Sequence, residues 1–205
     1  MTDAVRRSFN DAAEGFLAAV SALGDDDWAR PGLGEWNVRD LVGHTSRALS
    51  TIESYLKVPA AEVSIRDPVE YLRLARSAVS DPAAIAQRGR DAGIALGDDP
   101  RAAIRDLVAR VTSLLAATPD DATLTVVGGQ GITLLAYLPT RTFELTVHTL
   151  DLVAAAGREP PPQLAGPVAA CLALAARVLA SGPGNAEVLL ALTGRRPLPP
   201  GFSII

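Results

Sequence analysis

Apolar residues recur at helical spacing along most of the chain. Between Thr2 and Leu23, the residues Val5, Phe9, Ala12, Phe16, Val20 and Leu23 share one face at about 100° per residue, which predicts a first helix that Thr2 or Asp3 can cap. A loop rich in Gly, Asp and Pro follows, bracketed by Trp28 and Trp36. Two tryptophans around such a loop are expected to cover the end of a core and not to line a ligand pocket. Asn37 followed by Asp40 reads as a capped helix start, and Val38, Leu41, Val42, Thr45, Leu49, Ile52 and Leu56 form the core face of a second helix that runs to about Lys57. Pro68 opens a segment with Val69, Leu72, Ala75 and Val79 inward, Asp81-Pro82 starts another, and the two are read as separate helices or one bent helix. Asp99-Pro100 starts a strong bundle helix on Ile104, Leu107, Val108, Val111, Leu114 and Leu115.

The period then changes. Thr123–Val127 and Ile132–Leu135 read as short strands, and the Gly-Gly-Gln-Gly between them supplies the positive φ of a hairpin turn. That loop lacks the Lys-Ser/Thr end of a phosphate-binding loop and the spacing of a dinucleotide loop, so it is read as a turn. Because Pro139 fits poorly inside a helix, the next helix is expected to start near Thr140, after a short helical turn at 133–138, and to stop at Gly157. Beyond Pro160-Pro-Pro162, a long helix from Gln163 to Ala180 is expected to turn Val168, Cys171, Leu172, Ala175, Val178 and Leu179 inward. Asn185 is expected to cap a short helix through Thr193, and an irregular tail packs down through Phe202–Ile205. The fold class is therefore all-α: an up-and-down four-helix bundle with a small β-hairpin and a C-terminal helical extension. Residues 1–157 are expected to form the bundle, and residues 158–205 the extension packed on it.

Composition narrows the function classes. A chain of 205 residues with 48% hydrophobic content can bury a full core. A net charge of −4 with scattered basic residues gives no footprint for nucleic acid, so no nucleic-acid partner is expected. Mean hydropathy is +0.21, yet no apolar run is expected to approach the roughly 20 residues needed to span a bilayer, and the N-terminus lacks a signal-peptide core. The expectation is a cytoplasmic protein with no membrane partner. Cys171 is the single cysteine, so any metal must be held by imidazole and oxygen. Lys57 is the only lysine among 19 basic residues, a bias that a GC-rich genome tends to produce.

The reactive side chains gather on the helix expected to follow Pro139. Arg141, Glu144, His148 and Asp151 fall within one quadrant of it, beside an apolar stripe of Phe143, Val147, Leu150 and Ala154. The i, i+4 spacing of Glu144 and His148 lets a carboxylate and an imidazole converge on one cation. The only other histidine, His44, lies on the flank of the second helix beside Ala48 and Tyr55. Taken alone, His44 reads as a packing residue. Two histidines and a glutamate together would form a three-ligand site with an open position, and bundle cores are a usual place for such sites.

The stretches Trp36-Asn-Val-Arg-Asp-Leu-Val-Gly-His44 and Arg141-Thr-Phe-Glu-Leu-Thr-Val-His148-Thr-Leu-Asp151, followed by Ala156-Gly157, resemble the mycothiol-dependent maleylpyruvate isomerase family of the DinB-like superfamily. The resemblance covers roughly the first 157 residues by order and layout. It implies a DinB-like bundle that binds a divalent metal, usually zinc, through His44, Glu144 and His148. It also implies mycothiol as a thiol cosubstrate and an electrophilic small molecule as its acceptor, in an actinobacterial setting. The isomerase's larger C-terminal domain is not evident in the residues after Gly157.

An open metal position can favour the thiolate of a bound thiol, for isomerase or thiol-transferase chemistry, or activate water for hydrolysis. A non-catalytic protein that binds a metal or small ligand is the alternative from another class. Asp151 is the candidate for orienting a ligand or a neighbouring arginine, and Arg141 for holding a substrate carboxylate. An internal salt bridge from Arg141 to Asp151 or Glu144 is the competing assignment. The oligomeric state is left open, with a homodimer among the alternatives.

Overall fold

The structure, a computed structural model, describes residues 2–78, 81–180, 182 and 184–204. Eight α-helices and one hairpin make up the described chain: α1 (Thr2–Ser21), α2 (Val38–Leu56), α3 (Pro68–Ala78), α4 (Pro82–Ala95), α5 (Pro100–Ala117), β1 (Thr123–Thr125), β2 (Gly131–Thr133), α6 (Leu134–Ala156), α7 (Ala165–Ala180) and α8 (Asn185–Leu192). Local chemistry explains the helix starts. The Asn37 side chain accepts from the Asp40 backbone N–H while the Asp40 carboxylate accepts from that of Asn37, a reciprocal pair that satisfies two donors at the start of α2. Asp81 and Asp99 cap α4 and α5 ahead of prolines whose missing N–H costs nothing at that position. The expected inward Val79 and the tail residue Ile205 lie outside the described residues.

α1 packs against α5 and α6, and α2 packs against the same two, so α1 and α2 occupy one diagonal of the four-helix bundle. Phe9, Phe16, Leu41, Leu49, Ile52, Ile104, Leu138 and Leu145 are fully buried in its centre. The fold is all-α and DinB-like, with one small antiparallel hairpin pairing Thr123 with Thr133 and Leu124 with Ile132. α4 lies along α2, and the approach is close because glycines face each other. A Cβ on Gly43 would stand 2.2 Å from the Gly93 backbone nitrogen, and one on Gly89 would stand 2.4 Å from the Trp36 ring.

Four local expectations are corrected. The strands are shorter than expected, since Val127 enters a 3-10 turn and Leu134-Leu135 already belong to α6. α6 does not restart after Pro139 but runs unbroken from Leu134, with the Thr133 side chain accepting from the Ala136 backbone N–H. The Thr140 and Thr142 hydroxyls donate to the Tyr137 and Leu138 carbonyls around the proline, and burial of Leu134, Tyr137 and Leu138 holds the first turns in place. The apolar stripe of α6 is also wider than expected: Phe143 is buried and Val147 packs on the core as predicted, but Ala154 is exposed, and Leu138, Leu145, Leu152 and Val153 add to the buried face together with Thr142, Thr146 and Thr149. Flanked by α1 on one side and α2 on the other, α6 buries a wider arc than one stripe. At the start of α8 the cap is Gly184, with Asn185 already the first helical residue.

α7 lies on α6 and α1 with Pro167, Cys171 and Leu174 buried and Ala175 and Val178 partly buried against the core as expected, whereas Leu172, also expected inward, is 67% exposed. The expectation that no apolar run reaches membrane length is also corrected. Pro162–Ala180 spans 19 residues with a mean hydropathy of 1.6, long and apolar enough by length and composition to cross a bilayer, although one of its faces packs on the bundle.

Candidate metal centre

The diagonal arrangement brings α2 and α6 together, and with them both histidines. The His44 and His148 rings meet edge to face with centroids 4.9 Å apart. One ligand atom from each of His44, Glu144 and His148 lies within 4.8 Å of the other two, and all three side chains are half-buried. The i, i+4 spacing on α6 places His148 Nε2 3.4 Å from Glu144 Oε2. Two ligands each ~2.0–2.2 Å from a tetrahedral ion stand about 3.3–3.6 Å apart, so this separation already suits a shared cation. Asp151, on the next turn, takes the other ring nitrogen: His148 Nδ1 and Asp151 Oδ2 are 3.0 Å apart. That contact leaves Nε2 to face the carboxylate, the arrangement in which an acidic residue fixes the tautomer and orientation of a metal-binding imidazole.

The electrostatics of the triad follow from these contacts. Burial works against charge on His148, but the hydrogen bonds it donates to Asp151 and Glu144 outweigh it and lift its pKa to about 9. Burial likewise opposes charge on Glu144, yet His148 and Arg141 hold it at about 2. Burial and the neighbouring His148 cation push His44 down to about 4, so His44 is neutral and a competent donor near neutrality. Its Nδ1 is buried without a hydrogen-bond partner. A neutral imidazole with an orphaned nitrogen, beside an ionised carboxylate and a second imidazole, is a donor set that fits a divalent cation.

A metal held here would displace the Nε2 proton that His148 directs at Glu144 and leave the Nδ1 proton on Asp151, so metal binding and proton release are coupled. Apparent metal affinity is expected to rise by up to about tenfold per pH unit between pH 6 and 9, then to level off above the His148 pKa of about 9. Calorimetry at several pH values checks this, and a flat profile would show that His148 is not a ligand. Asp151→Ala should weaken metal affinity by about 10–100-fold, the usual effect of removing the partner that orients a metal-binding imidazole. Unchanged affinity would assign Asp151 to surface hydrogen bonding alone.

Two of the three, His44 and Glu144, line a cavity of about 400 Å³ together with Arg141, Arg47, Arg88 and the Tyr55, Tyr71 and Tyr137 rings among others. Arg141 does not make the salt bridge entertained for it. Its guanidinium lies over Tyr137 and Tyr71 at 4.8 Å and 5.4 Å from their ring centroids, and its Nε donates to Thr140 Oγ1. Burial disfavours its charge, but Tyr137, Tyr71 and Glu144 keep its pKa above the ordinary value. Among the described residues, Arg141, Arg47 and Arg88 have no carboxylate within ion-pair distance. The cavity wall is therefore electropositive beside the triad.

A family model, the mycothiol maleylpyruvate isomerase N-terminal domain, matches residues 9–153. The chain belongs to this family. No curated protein and no solved structure matches it. The matched span contains α2 and nearly all of α6, and so every residue of the triad together with Asp151 and the three arginines.

Several site residues were not legible in the pattern. Trp36, expected only to cap the core, packs on His44 with ring centroids 4.4 Å apart and donates from Nε1 to the Ala86 carbonyl. Trp28 keeps the expected covering role, with Arg101 over its ring at 5.6 Å. Arg47 follows His44 by three residues and so shares its flank, a signal available in the sequence. Arg88 comes from α4 and reaches the cavity only because glycines let α4 lie against α2.

Proposed function

We propose that this chain binds one divalent metal, zinc being the best fit to two imidazoles and a carboxylate, and works as a mycothiol-dependent enzyme on an anionic electrophile. The observation that supports the reading is that His44 and Glu144, two members of the converging triad, line a cavity whose wall also holds Arg47, Arg88 and Arg141. A closed structural site would have a fourth protein ligand; among the described residues the cluster holds three, and two of them, His44 and Glu144, line the cavity. A divalent metal held by the three residues supplies a coordination position for the thiol sulfur and favours its thiolate form.

The chain's own residues do the rest. Cys171 lies outside this cavity and burial pushes its thiol pKa up, so it supplies no nucleophile and the sulfur must arrive on a small molecule. Arg141 offers a fixed, partly desolvated cation that suits a carboxylate of the acceptor, and Arg47 and Arg88 add to the field at the mouth. Tyr71 and Tyr137 are buried where they line the cavity, and low-polarity surroundings of this kind strengthen those charges. Isomerisation by reversible thiol addition and thiol transfer both fit this arrangement. A mycothiol dependence supports reading the chain as a cytoplasmic protein of an actinobacterium.

The test is metal analysis of the purified protein, then turnover of a panel of carboxylate-bearing electrophiles with and without mycothiol. Activity should require both metal and thiol, and Cys171→Ala should retain nearly all of it. Metal-loaded protein that neither binds the thiol by calorimetry nor shows thiol-dependent turnover would favour the hydrolase or the non-catalytic binding protein.

A further inference from the structure

A groove adjoins the metal cavity. α4 and α5 both pack on α2, and a space of about 580 Å³ lies between them with one flank of α2 in its wall. Arg47 and Arg88 line this groove and also line the metal cavity, so the two spaces are neighbours that share a boundary. The sequence of α2 explains how one helix serves both. Arg47 follows His44 by three residues, about 4.5 Å along the axis, and each step of three turns the face by about 60°, which carries Ser50 and Glu53 away from the metal cavity and into the groove.

The groove differs in chemistry from the cavity beside it. Its lining carries the three guanidiniums of Arg47, Arg88 and Arg110 and the three carboxylates of Glu53, Asp91 and Asp106, so no excess charge favours an anion there. In the metal cavity three arginines stand against Glu144 alone. The groove carboxylates are only partly spent on the protein. Glu53 Oε1 accepts from Arg110 Nε at 3.2 Å and Asp91 Oδ1 from Gln87 Nε2 at 2.7 Å, which leaves a second oxygen on each. The Asp106 carboxylate and the Ser50 hydroxyl make no hydrogen bond among the described residues. Between these groups, Ala92, Ala95 and Ala103 present small apolar side chains. Acceptors and donors interleaved over a shallow apolar floor are the complement of a neutral, hydroxyl-rich ring, whose hydroxyls donate to carboxylates and accept from guanidiniums.

We infer that this groove binds the sugar portion of the thiol cosubstrate, with the sulfur directed past Arg47 toward the metal triad. The inference rests on the thiol-dependent reading above and adds where the thiol lies. Mycothiol is an acetylated cysteine joined through an amide to a neutral pair of rings, an amino sugar and an inositol. With its sulfur at the triad, the cysteinyl amide falls beside Arg47 and Arg88, and the ring hydroxyls fall beyond them at Ser50, Glu53, Asp91 and Asp106. Arg141 lines the metal cavity and not the groove, which leaves it for the anionic acceptor.

The experiment is a titration of the cobalt(II)-loaded full chain, in which thiolate coordination appears as a sulfur-to-cobalt charge-transfer band. The two ligands are mycothiol and N-acetylcysteine amide, a neutral thiol without the sugars. Both should give the band, with mycothiol binding about tenfold or more tightly, the worth of one or two net hydrogen bonds. Asp106→Ala should weaken mycothiol several-fold. Ala95→Trp, which fills the groove from its exposed edge on α4, should bring mycothiol down to the affinity of the amide. Neither variant should move the affinity of the amide itself, which reports that the metal site is intact. Equal affinity of the two thiols, mycothiol binding unchanged by both variants, or equal weakening of both thiols would overturn the groove while thiol dependence stands. Absence of the band with either thiol would overturn the thiol-dependent reading and the groove with it.

Discussion

His148→Ala should abolish metal binding and thiol-dependent turnover while leaving a folded helical bundle. His148 is the pivot of the candidate centre: one ring nitrogen faces Glu144 at 3.4 Å and the other meets Asp151 at 3.0 Å. Truncation removes a ligand outright and also the group through which Asp151 acts, so the loss of affinity should exceed the 10–100-fold that an orienting partner carries. The core is a different matter. It is built from Phe9, Phe16, Leu41, Leu49, Ile104 and Leu145, none of which needs the imidazole, and Arg141 remains beside Glu144 as a counter-charge. The stability cost should be about 1–3 kcal/mol, from carboxylates left without their partner. Metal titration and circular dichroism on the same preparation separate the two effects. Retained stoichiometric metal with native affinity would remove His148 from the ligand set.

The second large effect lies outside the reactive residues. Gly43→Ala adds only a methyl group, yet that carbon would sit 2.2 Å from the Gly93 nitrogen and 2.5 Å from the Ala92 carbonyl carbon, both backbone atoms that cannot rotate away. Alanine favours a helix over glycine by about 1 kcal/mol, whereas overpacking of this kind costs typically 1–3 kcal/mol and occasionally more. The clash wins because α4 must move as a unit. A net loss of up to about 2 kcal/mol in urea unfolding is expected. Because α4 supplies Arg88 to the cavity and holds Trp36 against His44 through the Ala86 carbonyl, metal affinity should fall together with stability. A variant with native stability and affinity would mean that α2 and α4 do not depend on that contact.

Much of this protein is legible in its residues alone. The Asn37 and Asp40 box, the Asp-Pro starts at 81 and 99 and the Gly157 stop are local hydrogen-bonding and backbone preferences, so they fix helix ends wherever the helices go. The pairing of Glu144 with His148, and of His148 with Asp151, is equally local, because one turn of helix sets their separation. Periodicity could not show that α6 runs through Pro139, since the burial and hydroxyl bonds that keep it helical come from its surroundings. It also placed Leu172 inward, because an alanine-rich helix is apolar on every side and its pattern does not say which side meets the bundle.

What only the tertiary structure decided is which faces meet. Whether His44 is a packing residue or a partner of the α6 pair depends on α1 and α2 taking one diagonal, so that α2 lies against α6; no spacing within α2 contains that information. The stacking of Arg141 on Tyr71 and Tyr137, the arrival of Arg88 and the seating of Trp36 on His44 join residues from α3, α4, α6 and the loop before α2. Helical periodicity reports a direction around one axis. The cavity is a property of several axes at once, set by how closely glycines and small side chains let those helices approach.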